Sequence, residues 1–289
     1  MFILHSVEGN RQKLDGGSMF GNAPRALWKR WHKPDSEGRI ELACRSLLIV
    51  GEKKILCETG IGAFFSPELA ERFGVETPRN HKLEENLRQI GHPHESIDYV
   101  VLSHLHFDHA GGLLPPFHEM EQGNNKLLFP HAKYITSKKA WERAINPHRR
   151  DRASFIPELM EKIKNSGRLL LLEEPYSEHP LGKAFSFFET NGHTPGQIHL
   201  VCRGKKQKIV FCGDMIPGST WVNPSLSMGY DRNAELVLDE KNSFLKKAKQ
   251  EKMFLFFTHD PQYSSSQVEE KNSKLSAVNL KETYSGERL

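Results

Sequence analysis

Short apolar runs separated by turn-forming residues organise the first hundred positions. Residues 46–50, a Gly51-Glu52-Lys53-Lys54 turn and residues 55–57 predict a hairpin, closed by Glu58-Thr59-Gly60. Residues 67–73 and 81–90 predict helices, the second with Leu83, Leu87 and Ile90 at helical spacing and Gly91 as its stop. Residues 97–103 then predict a buried strand.

From about 137 to 165 the pattern turns polar and basic, with Trp141, Ile145, Phe155, Leu159 and Ile163 as scattered anchors and Pro147 and Pro157 as breaks, which predicts a helical insert. Strands resume at 169–172, 185–188, 198–201, 209–212 and 254–257, and a helix at 240–249 precedes the last of them. Two strand-rich segments around a helical one predict an α/β fold in which two sheets pack face to face with helices outside, a four-layer αββα sandwich. The expected organisation is one domain over 1–262. A polar, serine-rich tail is expected over 263–289, beginning near Ser264-Ser265-Ser266.

Composition narrows the class. Of 289 residues 37% are hydrophobic and 26% charged, as in a globular protein that folds without staples. Net charge is +4, from 40 basic and 36 acidic residues spread along the chain, a weak balance for nucleic-acid binding. Cys44, Cys57, Cys202 and Cys212 form no C-x-x-C pair and sit in apolar surroundings, as buried free thiols do. The opening apolar stretch is too short for a signal peptide and no run approaches the roughly 20 residues needed to span a bilayer, so a cytoplasmic protein without membrane partner is expected.

The chemistry concentrates in Ser103-His104-Leu105-His106-Phe107-Asp108-His109, directly after a predicted strand. One histidine at a strand end is ordinarily a hydrogen-bonded surface residue; three imidazoles and a carboxylate in six positions are the donor set that Zn²⁺ prefers, and an H-x-H pair at strand spacing turns both rings to one side. His92, His94, His118, His131, His148 and His179 lie in Pro-rich or charged loops without such company and are expected to be solvated. Three further ligand-type residues follow predicted strands: His193 in Gly192-His193-Thr194, Asp214 in Gly213-Asp214, and His259 in Thr258-His259-Asp260. Ser103 lacks a nucleophile elbow. Cys57, Cys202 and Cys212 could serve as thiolate ligands, but Cys57 and Cys212 each precede an acidic residue that fits the pattern better, so these cysteines are expected in the core.

In this order the residues resemble the metallo-β-lactamase superfamily, with its H-x-H-x-D-H run, G-H-T-x-G histidine, G-D aspartate and late T-H histidine. The resemblance implies that His104, His106 and His193 hold one metal, that Asp108, His109 and His259 hold a second, and that Asp214 bridges them. Leu14-Asp15-Gly16-Gly17-Ser18-Met19-Phe20-Gly21, Gly213-Asp214-Met215-Ile216-Pro217 and Met228-Gly229-Tyr230-Asp231 look like the branch that includes N-acyl homoserine lactone lactonases. Glu58 stands where that family usually has Asp, and Pro217 where some lactonases place a substrate-contacting tyrosine. Met19, Phe20, Leu27, Trp28 and Trp31 are expected to form a mobile apolar lid or the contact of a homodimer.

The expected cofactors are two divalent ions, zinc by donor type. Such a pair lowers the pKa of a bridging water from about 15.7 to near 7, so that hydroxide attacks a small-molecule lactone or ester while Asp108 steers or receives a proton. The alternatives are phosphodiester or thioester hydrolysis by the same pair, and iron-dependent oxidoreductase chemistry on the same fold. Glu58 is expected to orient a ligand histidine.

Overall fold

The computed structural model describes residues 1–289. The chain opens with β1 (Ile3–Glu8), β2 (Gln12–Asp15), α1 (Gly16–Phe20), α2 (Arg25–Trp28), β3 (Arg39–Leu42), β4 (Arg45–Val50) and β5 (Lys54–Cys57). Next come α3 (Pro67–Arg72), α4 (Lys82–Gln89), β6 (Tyr99–Val101), α5 (Phe107–Ala110), α6 (Phe117–Glu121), β7 (Lys133–Ser137), α7 (Lys138–Ile145) and α8 (Pro157–Asn165). The second half holds β8 (Leu169–Leu172), β9 (Phe185–Thr190), β10 (Gln197–Arg203), β11 (Lys208–Phe211), α9 (Ala234–Gln250), β12 (Phe254–Phe256), β13 (Ser265–Lys271), β14 (Lys274–Lys281) and β15 (Ser285–Arg288).

Seven strands form one sheet in the order β15-β1-β4-β5-β6-β7-β8, six form a second in the order β14-β13-β12-β11-β10-β9, and β2 pairs with β3 apart from both. Side-chain alternation along each strand builds the layers. Leu47, Ile49, Ile55, Cys57, Val101 and Ile135 of the first sheet meet Leu200, Ile209, Phe211 and Phe256 of the second in a core between the sheets. The intervening Leu48, Leu56, Val100 and Tyr134 face outward, under Leu83 and Leu87 of α4, Trp141 of α7 and Leu159 and Ile163 of α8. Val210 and Leu255 of the second sheet face Phe244, Leu245 and Ala248 of α9. The result is the expected four-layer αββα sandwich. Strands buried on both faces read as unbroken apolar runs, which is why they were visible in the pattern.

The expected tail over 263–289 is instead structural. It supplies β13 beside β12, with Leu255 opposite Ser266, then β14, then β15 beside β1, with Ile3 opposite Arg288. Its polarity misleads because outer strands need few apolar residues. All three serines are buried, and two have partnered hydroxyls, Ser264 Oγ on Lys281 O at 3.0 Å and Ser265 Oγ with the Tyr284 phenol at 2.8 Å, while the Ser266 hydroxyl has none.

The lid expectation also fails for Met19, Phe20 and Trp28, which are buried. Phe20 stacks between Trp28 (5.7 Å) and Trp221 (4.6 Å), and the Trp28 ring fills the space beside Gly16 that any Cβ would need. Only Leu27 and Trp31 of that group are exposed. Among the loop histidines, His94 is not solvated: it is buried, edge-on to Phe129 at 5.8 Å. His92 and His179 are half-buried, while His118, His131 and His148 are exposed. No helix is long and apolar enough to cross a membrane.

Candidate metal centre

β5 runs parallel to β6 and β11 runs parallel to β12, so the carboxyl ends of strands from both sheets open on one edge. Every candidate ligand leaves one of these ends or that of β9. His104, His106, Asp108 and His109 follow β6, and His106 starts the short helix α5 on which Asp108 and His109 ride. Asp214 sits in a one-turn helix after β11, where Gly213 takes φ +47°. His259 follows β12, its N–H on Pro217 O at 2.9 Å. The His193 loop after β9 is clamped by the Glu240 carboxylate, which accepts the Asn191 and Gly192 N–H groups at 2.7 and 3.0 Å.

All seven residues come together. His104 Nε2 lies 3.0 Å from His106 Nδ1, which lies 3.4 Å from His193 Nε2. In a second group His109 Nε2 and His259 Nε2 are 3.2 Å apart, with Asp108 oxygens at 3.6 and 3.5 Å from them. Asp214 stands between the groups, Oδ2 at 3.4 Å from His193 Nε2 and 3.3 Å from His109 Nε2, and Oδ1 at 3.3 Å from His259 Nε2.

The outward nitrogens explain which atoms face inward. His104 Nδ1 donates to Ser103 Oγ (2.9 Å), His109 Nδ1 to Glu58 Oε2 (2.8 Å), His193 Nδ1 to Asp231 Oδ1 (2.9 Å) and His259 Nδ1 to the Ala43 carbonyl (2.7 Å). Each of these rings therefore points an Nε2 lone pair into the cluster, the tautomer that metal-binding histidines adopt. Lone pairs converging at 3.0–3.4 Å repel unless a cation lies among them, and Asp214 Oδ1 is buried without a hydrogen-bond donor. Residues and metal pair fit each other on this ground.

Electrostatics divide the groups. Burial and then the neighbouring imidazoles hold His104 and His106 well below the ordinary histidine value. Burial opposes charge on His109 and His259 too, yet carboxylates outweigh it, Glu58, Asp214 and Asp108 at His109 and Asp214 at His259, and raise both. Burial resists the Asp214 charge, but His109, His259 and His193 hold its carboxyl well below the usual range. A divalent ion displaces protons from such a cluster. His199, by contrast, is a core residue: burial pushes it down to about 3, and it stacks on Phe188 at 4.6 Å with Nε2 at 2.8 Å from Thr190 Oγ1.

Glu58 reaches both groups. One carboxylate oxygen takes the His109 N–H and the other takes the Ser103 hydroxyl, whose oxygen in turn takes His104 Nδ1–H. Ser103 is thus a relay with its proton committed. Two supporting residues had escaped notice in the sequence. Asp231 holds His193, with Oδ2 on the Met228 N–H at 2.7 Å, and Gln12 holds Asp108, Nε2 to Oδ2 at 2.6 Å. Asp231 lay within a quoted motif, but nothing in its spacing links it to His193; Gln12 carried no signal. All four cysteines are buried and unpaired.

A cavity of about 170 Å³ opens onto the cluster. His106, Asp108, His193, Asp214 and His259 form its floor, Leu14, Met19, Phe73 and Phe107 its apolar walls, and Ala153, Ser154 and Tyr230 its remaining rim. Pro217 is absent from this lining.

Similarity to known proteins agrees with the geometry. The family model of the metallo-beta-lactamase superfamily matches residues 39–115 and 123–259. An N-acyl homoserine lactonase from Bacillus sp is 26% identical over 224 residues, covering 74% of this chain and 79% of the relative. A ribonuclease from Thermus thermophilus is 29% identical over 195 residues, 67% of this chain but 39% of the ribonuclease. A probable metal-dependent hydrolase from Staphylococcus aureus superposes with a TM-score of 0.83 at 25% identity, covering 92% of each chain. AidC, a dizinc quorum-quenching lactonase solved with its product, shares the fold at a TM-score of 0.75 and 21% identity, over 96% of this chain and 94% of its own. The chain belongs to the metallo-β-lactamase superfamily, with N-acyl homoserine lactonases among its relatives, and is a metal-dependent hydrolase.

Proposed function

We propose that the protein holds two zinc ions and opens a lactone, of the acyl homoserine lactone type, or cleaves a small carboxylic ester. His104, His106 and His193 would hold one ion, Asp108, His109 and His259 the other, with Asp214 shared. The observation that carries the reading is the position of Asp214 within 3.4 Å of imidazole nitrogens from both groups. Lactonases among the relatives support the substrate class.

When bound, the ion pair supplies hydroxide near neutral pH and polarises the scissile carbonyl. Asp108, part of the cavity floor, takes the proton of the attacking hydroxyl and returns it to the ring oxygen as the C–O bond breaks. Leu14, Met19, Phe73 and Phe107 exclude bulk water and receive the substrate's apolar part.

Ester hydrolysis near neutral pH leaves a carboxylate and releases one proton. The test is elemental analysis of the purified protein beside a pH-indicator assay on acyl homoserine lactones, simple esters, a thioester and a phosphodiester. Two zinc equivalents with acid release from lactones or carboxylic esters is the expected result. Faster turnover of the phosphodiester or thioester would reassign the substrate, and one iron without acid release would replace hydrolysis with redox chemistry.

A further inference from the structure

Gln12 lies on β2, outside both main sheets and 96 residues from Asp108, yet its side chain ends at the candidate metal centre. The residue is fully buried, opposite Leu42 in the β2–β3 pair and two positions before the cavity-lining Leu14. Its Nε2–H₂ donates to Asp108 Oδ2 at 2.6 Å, while its Oε1 is buried without a partner. The reversed amide would set two acceptors against each other at that distance, so the donor must face the carboxylate.

That bond is the one hydrogen bond Asp108 makes to another side chain, and its oxygens also lie 3.6 and 3.5 Å from the His109 and His259 Nε2 atoms. The four imidazoles with supported outer nitrogens are each fixed by an acceptor. A carboxylate needs the opposite, a donor, and the choice of donor matters. Lysine or arginine would neutralise Asp108 and compete with a cation, whereas a carboxamide fixes the oxygen while leaving the full negative charge. Gln12 also comes from a part of the chain that is itself anchored: neighbouring Arg11 pairs with Glu41 and donates to Pro261 O at 3.0 Å.

We infer that Gln12 is the positioning residue of Asp108, fixing its carboxylate toward His109 and His259 and so setting the affinity of that half of the metal centre alone. The inference rests on the dinuclear reading above. Supporting residues of this kind change metal affinity by about 10–100-fold.

The experiment loads wild type, Gln12→Met and Gln12→Asn with zinc and follows retained zinc by elemental analysis across a chelator series. Methionine keeps the volume without the donor; asparagine keeps the amide but falls short of Asp108. Each variant should lose one equivalent at a 10–100-fold lower chelator concentration and hold the other as wild type does. Thermal unfolding of the metal-free proteins separates this from misfolding, and if one variant does not fold the other answers. Two equivalents retained as in wild type, or both lost together, overturn the assignment. A wild type that binds one equivalent at saturation overturns the dinuclear reading, and this assignment with it.

Discussion

Glu58 sits at φ +64°, a left-handed conformation that costs a residue of its kind about 1–3 kcal/mol. The cost is met by its setting: its N–H bonds Val101 O at 2.8 Å, its carbonyl takes the Ser46 hydroxyl at 2.9 Å, and its carboxylate serves Ser103 and His109. Glutamate in place of the more usual aspartate keeps the acceptor and adds one methylene of reach. Glu58→Ala would leave His109 Nδ1–H and the Ser103 hydroxyl buried without acceptors. The expected outcome is metal retention about 10–100-fold weaker, read by elemental analysis after graded chelation. Unchanged metal content would remove Glu58 from the site. At this scale the ligand types were legible because three imidazoles and a carboxylate occur within six positions, whereas Asp231 and Gln12 act across 38 and 96 residues.

At the scale of elements, the centre depends on how closely loops approach their neighbours. The His193 loop lies against the start of α9, where a Cβ on Gly192 would meet Val237 N at 2.4 Å and Val237 Cα at 2.7 Å. Backbone cannot swing away as a side chain can. Gly192→Ala should therefore destabilise by about 1–3 kcal/mol and pull His193 from His106, lowering both the unfolding temperature and zinc affinity. A variant that melts and binds zinc as wild type does would show that this approach is not tight. Inner strands with continuous apolar runs were readable, whereas β1 and β7, whose sequences Ile3-Leu4-His5-Ser6-Val7-Glu8 and Lys133-Tyr134-Ile135-Thr136-Ser137 mix apolar with polar residues, were not anticipated although both lie inside the first sheet. α9 begins at Ala234, before the expected 240, because Asn233 caps it through Oδ1 to Leu236 N at 3.1 Å.

For the molecule as a whole, the last 27 residues close both sheets. β15 covers β1, β13 covers β12, and the Leu289 N–H bonds Phe2 O at 3.0 Å. Truncation after Gln262 would expose two strand edges and uncover Phe256, on which the Tyr284 ring rests at 6.3 Å. Loss of soluble, cooperatively unfolding protein is the expected result, measured by gel filtration and thermal unfolding. A truncated chain that melts at the wild-type temperature would restore the reading of a dispensable tail.

The sequence by itself determined the apolar inner strands, though not β1 or β7, the layer count and the identity of the seven candidate donors, because burial on both faces and clustered imidazoles leave local signatures. Only the tertiary structure decided that a polar segment makes edge strands, that Phe20 and Trp28 are core, and that Glu58, Asp231 and Gln12 support the ligands. Those outcomes depend on which surfaces meet across distant parts of the chain, and a hydrogen bond between residues 12 and 108 has no local pattern to announce it.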